Sequence, residues 1–372
     1  MALACLGSSA VLAQEPAMAF PPPSPGIRVT TDVPYGTSGG VALKMDIFHP
    51  PGTTRRTLPA LVFFNRATEA DRSKGFWGAW ARMAASRGLV AVIPDLRDGS
   101  EADDARLLVR HLAEHGTEVG LDTAAIAVYA ASGNVYTAFP MVEDPAMTAI
   151  KAAVMYYGTG PVRAFRLDLP VLYVRAGLDR PDLNKGITAL AAEALAQNAP
   201  VTLLNHSSGH HAFELLDNDE ATRNVIELTL EFVKRSVAPQ SQLALRNGLK
   251  EATAAGYVQT GDFKRAAAVF ADLLSTRPDD TRLRLSYGEA LLGDAQYVTA
   301  CAEFEKLKGK GLGPRDLGLP AARACMLKGD ADAAIVWLKS IPSRFLPPDV
   351  AKEAVFASIQ ERPDFRALFD RK

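Results

Sequence analysis

Apolar and polar positions follow two different patterns along the chain, and the change from one to the other divides it. Up to residue 237, short runs that are apolar at nearly every position predict strands over 41–48, 60–65, 89–94, 126–130, 152–157, 171–176 and 201–205. Between them, apolar residues three and four apart predict helices over 73–86, 101–114, 133–142, 182–196 and 219–237. Strands that are apolar throughout must be buried on both sides, and strands separated by helices run mostly parallel. An α/β domain over 20–237 is therefore expected, with a mostly parallel sheet covered by helices.

At Ala238-Pro239-Gln240-Ser241 the pattern breaks, and 238–242 reads as a linker. Beyond it the strand signal ends and an all-α domain over 243–372 is expected. Phe263, Tyr297 and Ala331 are each 34 residues apart, Ala266, Ala300 and Ala333 recur at nearly that period, and Phe270, Phe304 and Trp337 follow four residues after those alanines. The stretch GYVQTGDFKRAAAVFADLLSTRPDD, with Gly261 at a turn and Pro278 ending a helix, resembles a tetratricopeptide repeat. Segments 288–308 and 321–341 are similar but looser, and 349–372 has the apolar spacing of a helix that would cap the last unit. The resemblance implies a surface for a protein partner.

Charge narrows the classes of function. With 41 basic against 42 acidic residues and no long run of one sign, nothing tracks phosphates, and nucleic acid is not an expected partner. No run reaches the length of a membrane span. The three cysteines, Cys5, Cys301 and Cys325, form no CxxC pair. Cys301 and Cys325 fall in helical patterns, where a small buried hydrophobe is the expected role and a disulfide between them the alternative. Residues 1–19 carry an apolar run, no charge before Glu15, and the endings Val11-x-Ala13 and Ala17-x-Ala19 that a signal peptidase reads. Export is expected, or cytoplasmic residence if the segment is not a signal.

Candidate chemistry begins at Ala127-Val128-Tyr129-Ala130-Ala131-Ser132-Gly133-Asn134, a buried-strand pattern that stops at one serine and a glycine. Ala130, Ser132 and Asn134 occupy the first, third and fifth places of a nucleophile elbow, G-x-S-x-G, where small flanking residues permit a strained turn. Asn134 departs from that pattern. Two later strands end in the partners such a serine needs: LPVLYVRAGLD leads to Asp179, and VTLLNHSSGHHAF leads to His210 and His211. The order Ser, acid, His, each after its own strand, fits acyl transfer through a covalent intermediate.

These residues, with Tyr156-Tyr157-Gly158 and VIPDLR at 92–97, resemble an α/β hydrolase of the dienelactone hydrolase type over 29–237. The resemblance implies Ser132 as nucleophile, Asp179 as acid and His211, which precedes a small residue and phenylalanine, as base. Oxyanion donors are expected from Gly133 and from the turn around Asn65 and Arg66, where the usual His-Gly sequence is absent. Tyr157 is a further binding candidate, while Trp77, Trp80 and Phe213 are weighed between pocket lining and plain core.

His111-Leu112-Ala113-Glu114-His115 spells H-x-x-E-H, a zinc-binding spacing in another fold. Here it shares a helix face with Leu107, Leu108 and Leu112 and lacks a further ligand, so a packed or snorkelling role is expected, with no metal and no cofactor. Two functions compete. One is an esterase-like serine hydrolase acting on a small ester or related acyl substrate. The other, favoured by Asn134 and the missing His-Gly, is a weak or inactive hydrolase-fold scaffold whose repeats bind a partner protein.

Overall fold

The computed structural model describes residues 19–20, 24–52, 57–64, 72, 75–162 and 164–370. They form two compact units divided after Leu243. In the first, strands β1 (Arg28–Ser38), β2 (Val41–His49), β3 (Leu58–Phe64), β4 (Val90–Pro94), β5 (Leu121–Ala131), β6 (Ile150–Tyr156), β7 (Val171–Ala176) and β8 (Val201–His206) form one sheet in the order 1-2-4-3-5-6-7-8. Only β1 with β2 and β2 with β4 pair antiparallel; the other pairs are parallel. This is the mostly parallel sheet of the α/β-hydrolase fold.

Helices α1 (Gly75–Ser86), α2 (Glu101–His115), α3 (Asn134–Val142), α4 (Pro181–Ala196), α5 (Phe213–Leu216) and α6 (Glu220–Val237) complete the unit. Along β5, Tyr129 packs with α1 and α6 on one face, while Val128 and Ala130 pack with α2, α3 and α4 on the other. A strand buried on both sides has no polar alternation, which is why β5 reads as continuously apolar. The VIPDLR stretch is structural. Asp95 accepts from the buried Arg72 and from the Lys44 N–H, and the Arg97 guanidinium forks onto the buried Asp104 at 2.9 and 2.6 Å.

Several expectations need correction. The edge strand β1, RVTTDVPYGTS, buries only Tyr35 and contains Pro34, so it carries no apolar pattern to read. The expected linker at 238–242 is one residue long in effect: Ala238 is extended, and helix α7 (Pro239–Gln259) begins at once, proline at a first helical position being preset for it. Strand 60–65 ends at Phe64, and Asn65 lies outside the described residues.

The second unit continues with α8 (Phe263–Thr276), α9 (Thr281–Gly293), α10 (Tyr297–Glu305), α11 (Pro314–Leu327), α12 (Ala331–Lys339) and α13 (Pro363–Arg366). Its period of 34 is carried by three left-handed residues, Gly261, Ala295 and Gly329, each two residues before a helix starts. Two fully buried columns keep the same spacing: Ala266, Ala300 and Ala334, then Phe270, Phe304 and Leu338. The third unit is thus offset by one from the sequence reading, since Ala333 is only partly buried, although Trp337 is in the core. Gly288 is small for contact, because a Cβ there would lie 2.5 Å from the Phe304 ring.

Cys301 of α10 and Cys325 of α11 are joined in a disulfide, with Cα atoms 5.1 Å apart. This replaces the expectation of two free buried thiols. Nor is the tail one capping helix: 3₁₀ turns at Pro348–Lys352 and Ala354–Ile359 precede the single turn of α13. Pro347, Pro348 and Pro363 interrupt helical hydrogen bonding, while Phe356, Ile359 and Phe365 still enter the core.

Candidate active site

The ends of β5, β7 and β8 lie at one edge of a parallel sheet, where the loops leaving the strands meet. Ser132 follows β5 with φ +54°, its N–H donating to Tyr156 O at 2.9 Å and its carbonyl accepting from Val135 N–H at 3.1 Å. The elbow forms despite Asn134 in its fifth place. Room is supplied from the neighbouring loop instead: a Cβ on Gly158 would sit 2.3 Å from Ser132 O and 2.7 Å from Val135 Cβ. The small residue that the turn requires is therefore at 158, on the loop after β6.

Asp179 follows β7 by a three-residue turn. Gly177 lets the loops after β7 and β8 touch backbone to backbone, since a Cβ there would lie 2.3 Å from Ser207 O. Gly177 N–H donates to His206 O at 2.7 Å and Leu178 N–H to Gly209 O at 2.9 Å. From α4, the buried Asn184 donates to Ala176 O at 2.9 Å and Asp179 O at 3.3 Å, clamping the loop that carries Asp179. The Asp179 side chain is almost fully enclosed, and its Oδ2 meets His211 Nδ1 at 2.6 Å. His211 Nε2 meets Ser132 Oγ at 2.8 Å.

Sequence had singled out these three residues, and they stand in one hydrogen-bonded chain. The neighbouring His210 turns outward, with Nδ1 2.8 Å from Asp217 Oδ1. Both neighbours of the His211 chain are strained. Among the described residues six non-glycine positions have positive φ, and Ser132, Tyr157 (+32°) and Ala212 (+59°) are three of them. Strain gathered at one place is characteristic of a functional site.

A cleft of about 470 Å³ opens over Ser132, lined among others by Gly133, Tyr136, Tyr157, Arg180, Leu183 and His211. Gly133 precedes α3, so its N–H lies at a positive helix end. Tyr157 offers the cleft its ring only, because its hydroxyl donates to Glu214 Oε2 at 2.8 Å in the interior. Trp80 and Phe213 are fully buried core and Trp77 packs beside them. Asn65 and Arg66, the remaining oxyanion candidates, lie outside the described residues.

Sequence reasoning missed Asn184 and Glu214, and held Gly158 only as part of the Tyr156-Tyr157-Gly158 resemblance, without its role beside the turn. Glu214 is fully buried, and burial pushes its carboxyl above the usual range, while bonds from Tyr129 and Tyr157 pull it back. Burial likewise raises both tyrosines. Its only sequence signal is an acidic residue three places after His211 within an apolar stretch. The H-x-x-E-H histidines lie with ring centroids 5.1 Å apart on α2, and His115 is half exposed with its Nδ1 3.1 Å from Glu118 Oε1. Among the described residues no helix is long and apolar enough to cross a membrane.

No protein-family model and no curated protein matches the chain. Among solved structures it is similar to a bacterial heroin esterase, at 14% identity over 57% of this chain and 84% of that one, with a TM-score of 0.47. It is similar to brefeldin A esterase, a bacterial homologue of human hormone-sensitive lipase, at 16% identity over 59% and 80%, with a TM-score of 0.49. It is also similar to esterase LipW from Mycobacterium marinum, at 13% identity over 57% and 83%, with a TM-score of 0.49.

Proposed function

We propose that the chain is a serine hydrolase of esterase type, acting on a small ester or related acyl substrate. The observation that carries this reading is the continuous chain Ser132 Oγ, His211, Asp179, with contacts of 2.8 and 2.6 Å, on a strained turn at the floor of an open cleft. In the reaction His211 Nε2 accepts the Ser132 proton as Oγ attacks the acyl carbon. The same proton then passes to the leaving group, and water repeats the sequence to release the acid. Asp179 holds Nδ1–H and so fixes which nitrogen is basic. The Gly133 N–H donates to the oxyanion.

Hydrolysis of 4-nitrophenyl acetate tests the reading: wild type turns over, and Ser132→Ala does not. Equal rates from both proteins would exclude Ser132 as nucleophile. A serine acyl adduct seen by intact mass under rapid quench is the second expected result.

The helical unit is proposed as a tetratricopeptide-like module for protein contact, supported by its period of 34 and its buried small-residue columns. A chain ending at Leu243 is expected to retain turnover; a folded but inactive one would place part of the site in the helices. Export is proposed as well, supported by the Cys301–Cys325 disulfide, a bond that persists in oxidising compartments. Ala19 is buried and its N–H donates to Glu214 O at 3.1 Å, which favours processing after Ala13 over processing after Ala19. The expected mature N-terminus, read by mass from an extracytoplasmic fraction, is Gln14; Phe20 would contradict it.

A further inference from the structure

Among the described residues, the hydrogen bonds to the His211 ring come only at its edge, from Ser132 at Nε2 and Asp179 at Nδ1. Two contacts define an axis and leave the ring free to rock about it, and 42% of the side chain faces solvent. Tyr157 supplies the missing third contact. Its ring centroid lies 4.8 Å from that of His211, at 58° between planes.

Tyr157 is itself fixed at three points. Its backbone is left-handed, its N–H donates to Val174 O at 2.8 Å, and its hydroxyl donates to Glu214 Oε2 at 2.8 Å. Glu214 stands three residues after His211, at 0% exposure, so the Tyr157–His211 and Tyr157–Glu214 contacts are closed into a loop by the backbone from 211 to 214. Glu214 Oε1 accepts from Tyr129 at 2.7 Å and from Trp80 Nε1 at 3.4 Å. Tyr129 lies on β5, three residues before Ser132. One buried carboxyl thus joins the strand of the nucleophile to the loop of the base by a route independent of the Ser132–His211 bond.

We propose that Tyr157 and Glu214 are positioning residues that fix the plane of the His211 imidazole, keeping Nε2 aimed at Ser132 Oγ during proton transfer. The assignment rests on the acyl-transfer reading above. Neither residue exchanges a proton in it. Because the imidazole becomes a cation in the transition state, the Tyr157 face is a better partner there than in the ground state. The effect therefore falls on kcat and leaves KM nearly unchanged.

The full-length protein and 4-nitrophenyl acetate provide the test. Tyr157→Phe keeps the ring and cuts its tie to Glu214. Glu214→Leu cuts both tyrosine ties, and Glu214→Gln keeps an acceptor for one tyrosine and a donor for the other. At a temperature where near-UV circular dichroism shows each variant folded, Tyr157→Phe and Glu214→Leu are expected to lower kcat about tenfold, with KM within about twofold. Glu214→Gln should retain most of the activity, and the Tyr157→Phe/Glu214→Leu double variant should fall no further than either single one.

Wild-type kcat in Tyr157→Phe would overturn the assignment, whatever happens to Tm, because a purely structural knot changes stability alone. So would a Glu214→Gln as impaired as Tyr157→Phe, or multiplicative losses in the double variant. If Glu214→Leu does not fold, Tyr157→Phe against Glu214→Gln decides the matter. Failure of the underlying reading looks different: wild type would then have no Ser132-dependent turnover, and the assignment would fall with it.

Discussion

Left-handed backbone serves opposite purposes in the two units. In the helical unit it recurs at Gly261, Ala295 and Gly329, where a chain must turn between helices and glycine adopts the conformation freely at two places of three. Among the described residues of the sheet unit, three of five left-handed non-glycine residues gather at one place: Ser132 and Tyr157 line the cleft, and Ala212 directly follows His211. Glycine would relieve the backbone there and would delete the hydroxyl and the ring that the site uses. A side chain projected from a sharp turn carries strain of roughly 1–2 kcal/mol per residue. The difference separates turns that only redirect the chain from turns that present chemistry.

The strongest way to break this comparison is at adjacent histidines. His211→Ala is expected to reduce aryl-ester turnover by roughly three orders of magnitude or more, since in the proposed reaction His211 and Ser132 act as a unit. His210→Ala should keep most of it, because His210 pairs with Asp217 away from the cleft. Steady-state rates decide, and the reverse pattern would transfer the role to His210.

Next in size is the glycine that makes room for the elbow. Gly158→Ala pushes a methyl against backbone, 2.3 Å from Ser132 O, and should cost roughly 3 kcal/mol or more of stability together with activity. Gly133→Ala is the control, with nothing within 4 Å of the added carbon and an expected change under about 1 kcal/mol. Chemical denaturation measures both, and equal losses would remove Gly158 from the account of the turn.

The smallest effects sharpen the comparison most. Ala212→Gly relieves the same kind of strain as Ala295→Gly, at φ +59° against +58°. Ala295→Gly should raise stability by about 0.5–1 kcal/mol and leave turnover unchanged. Ala212→Gly should lower kcat several-fold, because it loosens the link between His211 and the buried Phe213. If both variants behave alike, the strain at 212 has no functional meaning.

How much of this was legible in sequence depends on whether a residue acts through its own pattern or through its neighbours. Seven strands and the three members of the hydrogen-bonded chain could be read: six strands are buried and mostly apolar, the edge strand β8 keeps a short apolar run although it is largely exposed, and each site residue lies on the loop after a strand. β1 could not, since RVTTDVPYGTS mixes polar residues and a proline with few apolar ones. The packing role of Gly158 was hidden because the small residue expected at 134 is replaced by one distant in sequence, on the next strand's loop. Glu214 was hidden because its partners, Tyr129 at 2.7 Å and Tyr157 at 2.8 Å, come from other strands, and a lone glutamate in a helix turn normally means a solvated surface. The disulfide was open in sequence because its two cysteines lie on different helices 24 residues apart, and only packing brings them together.

The central claim is that Ser132 is an activated nucleophile rather than a turn residue. Reaction with a fluorophosphonate probe tests it most directly, because the probe needs both an activated hydroxyl and donors for the developing oxyanion. Wild-type protein is expected to be labelled stoichiometrically, with the mass increment on the peptide containing Ser132, while Ser132→Ala stays unlabelled and Asp179→Asn is labelled much more slowly. Labelling of Ser132→Ala at the wild-type rate, or no labelling of a folded wild type, would contradict the account.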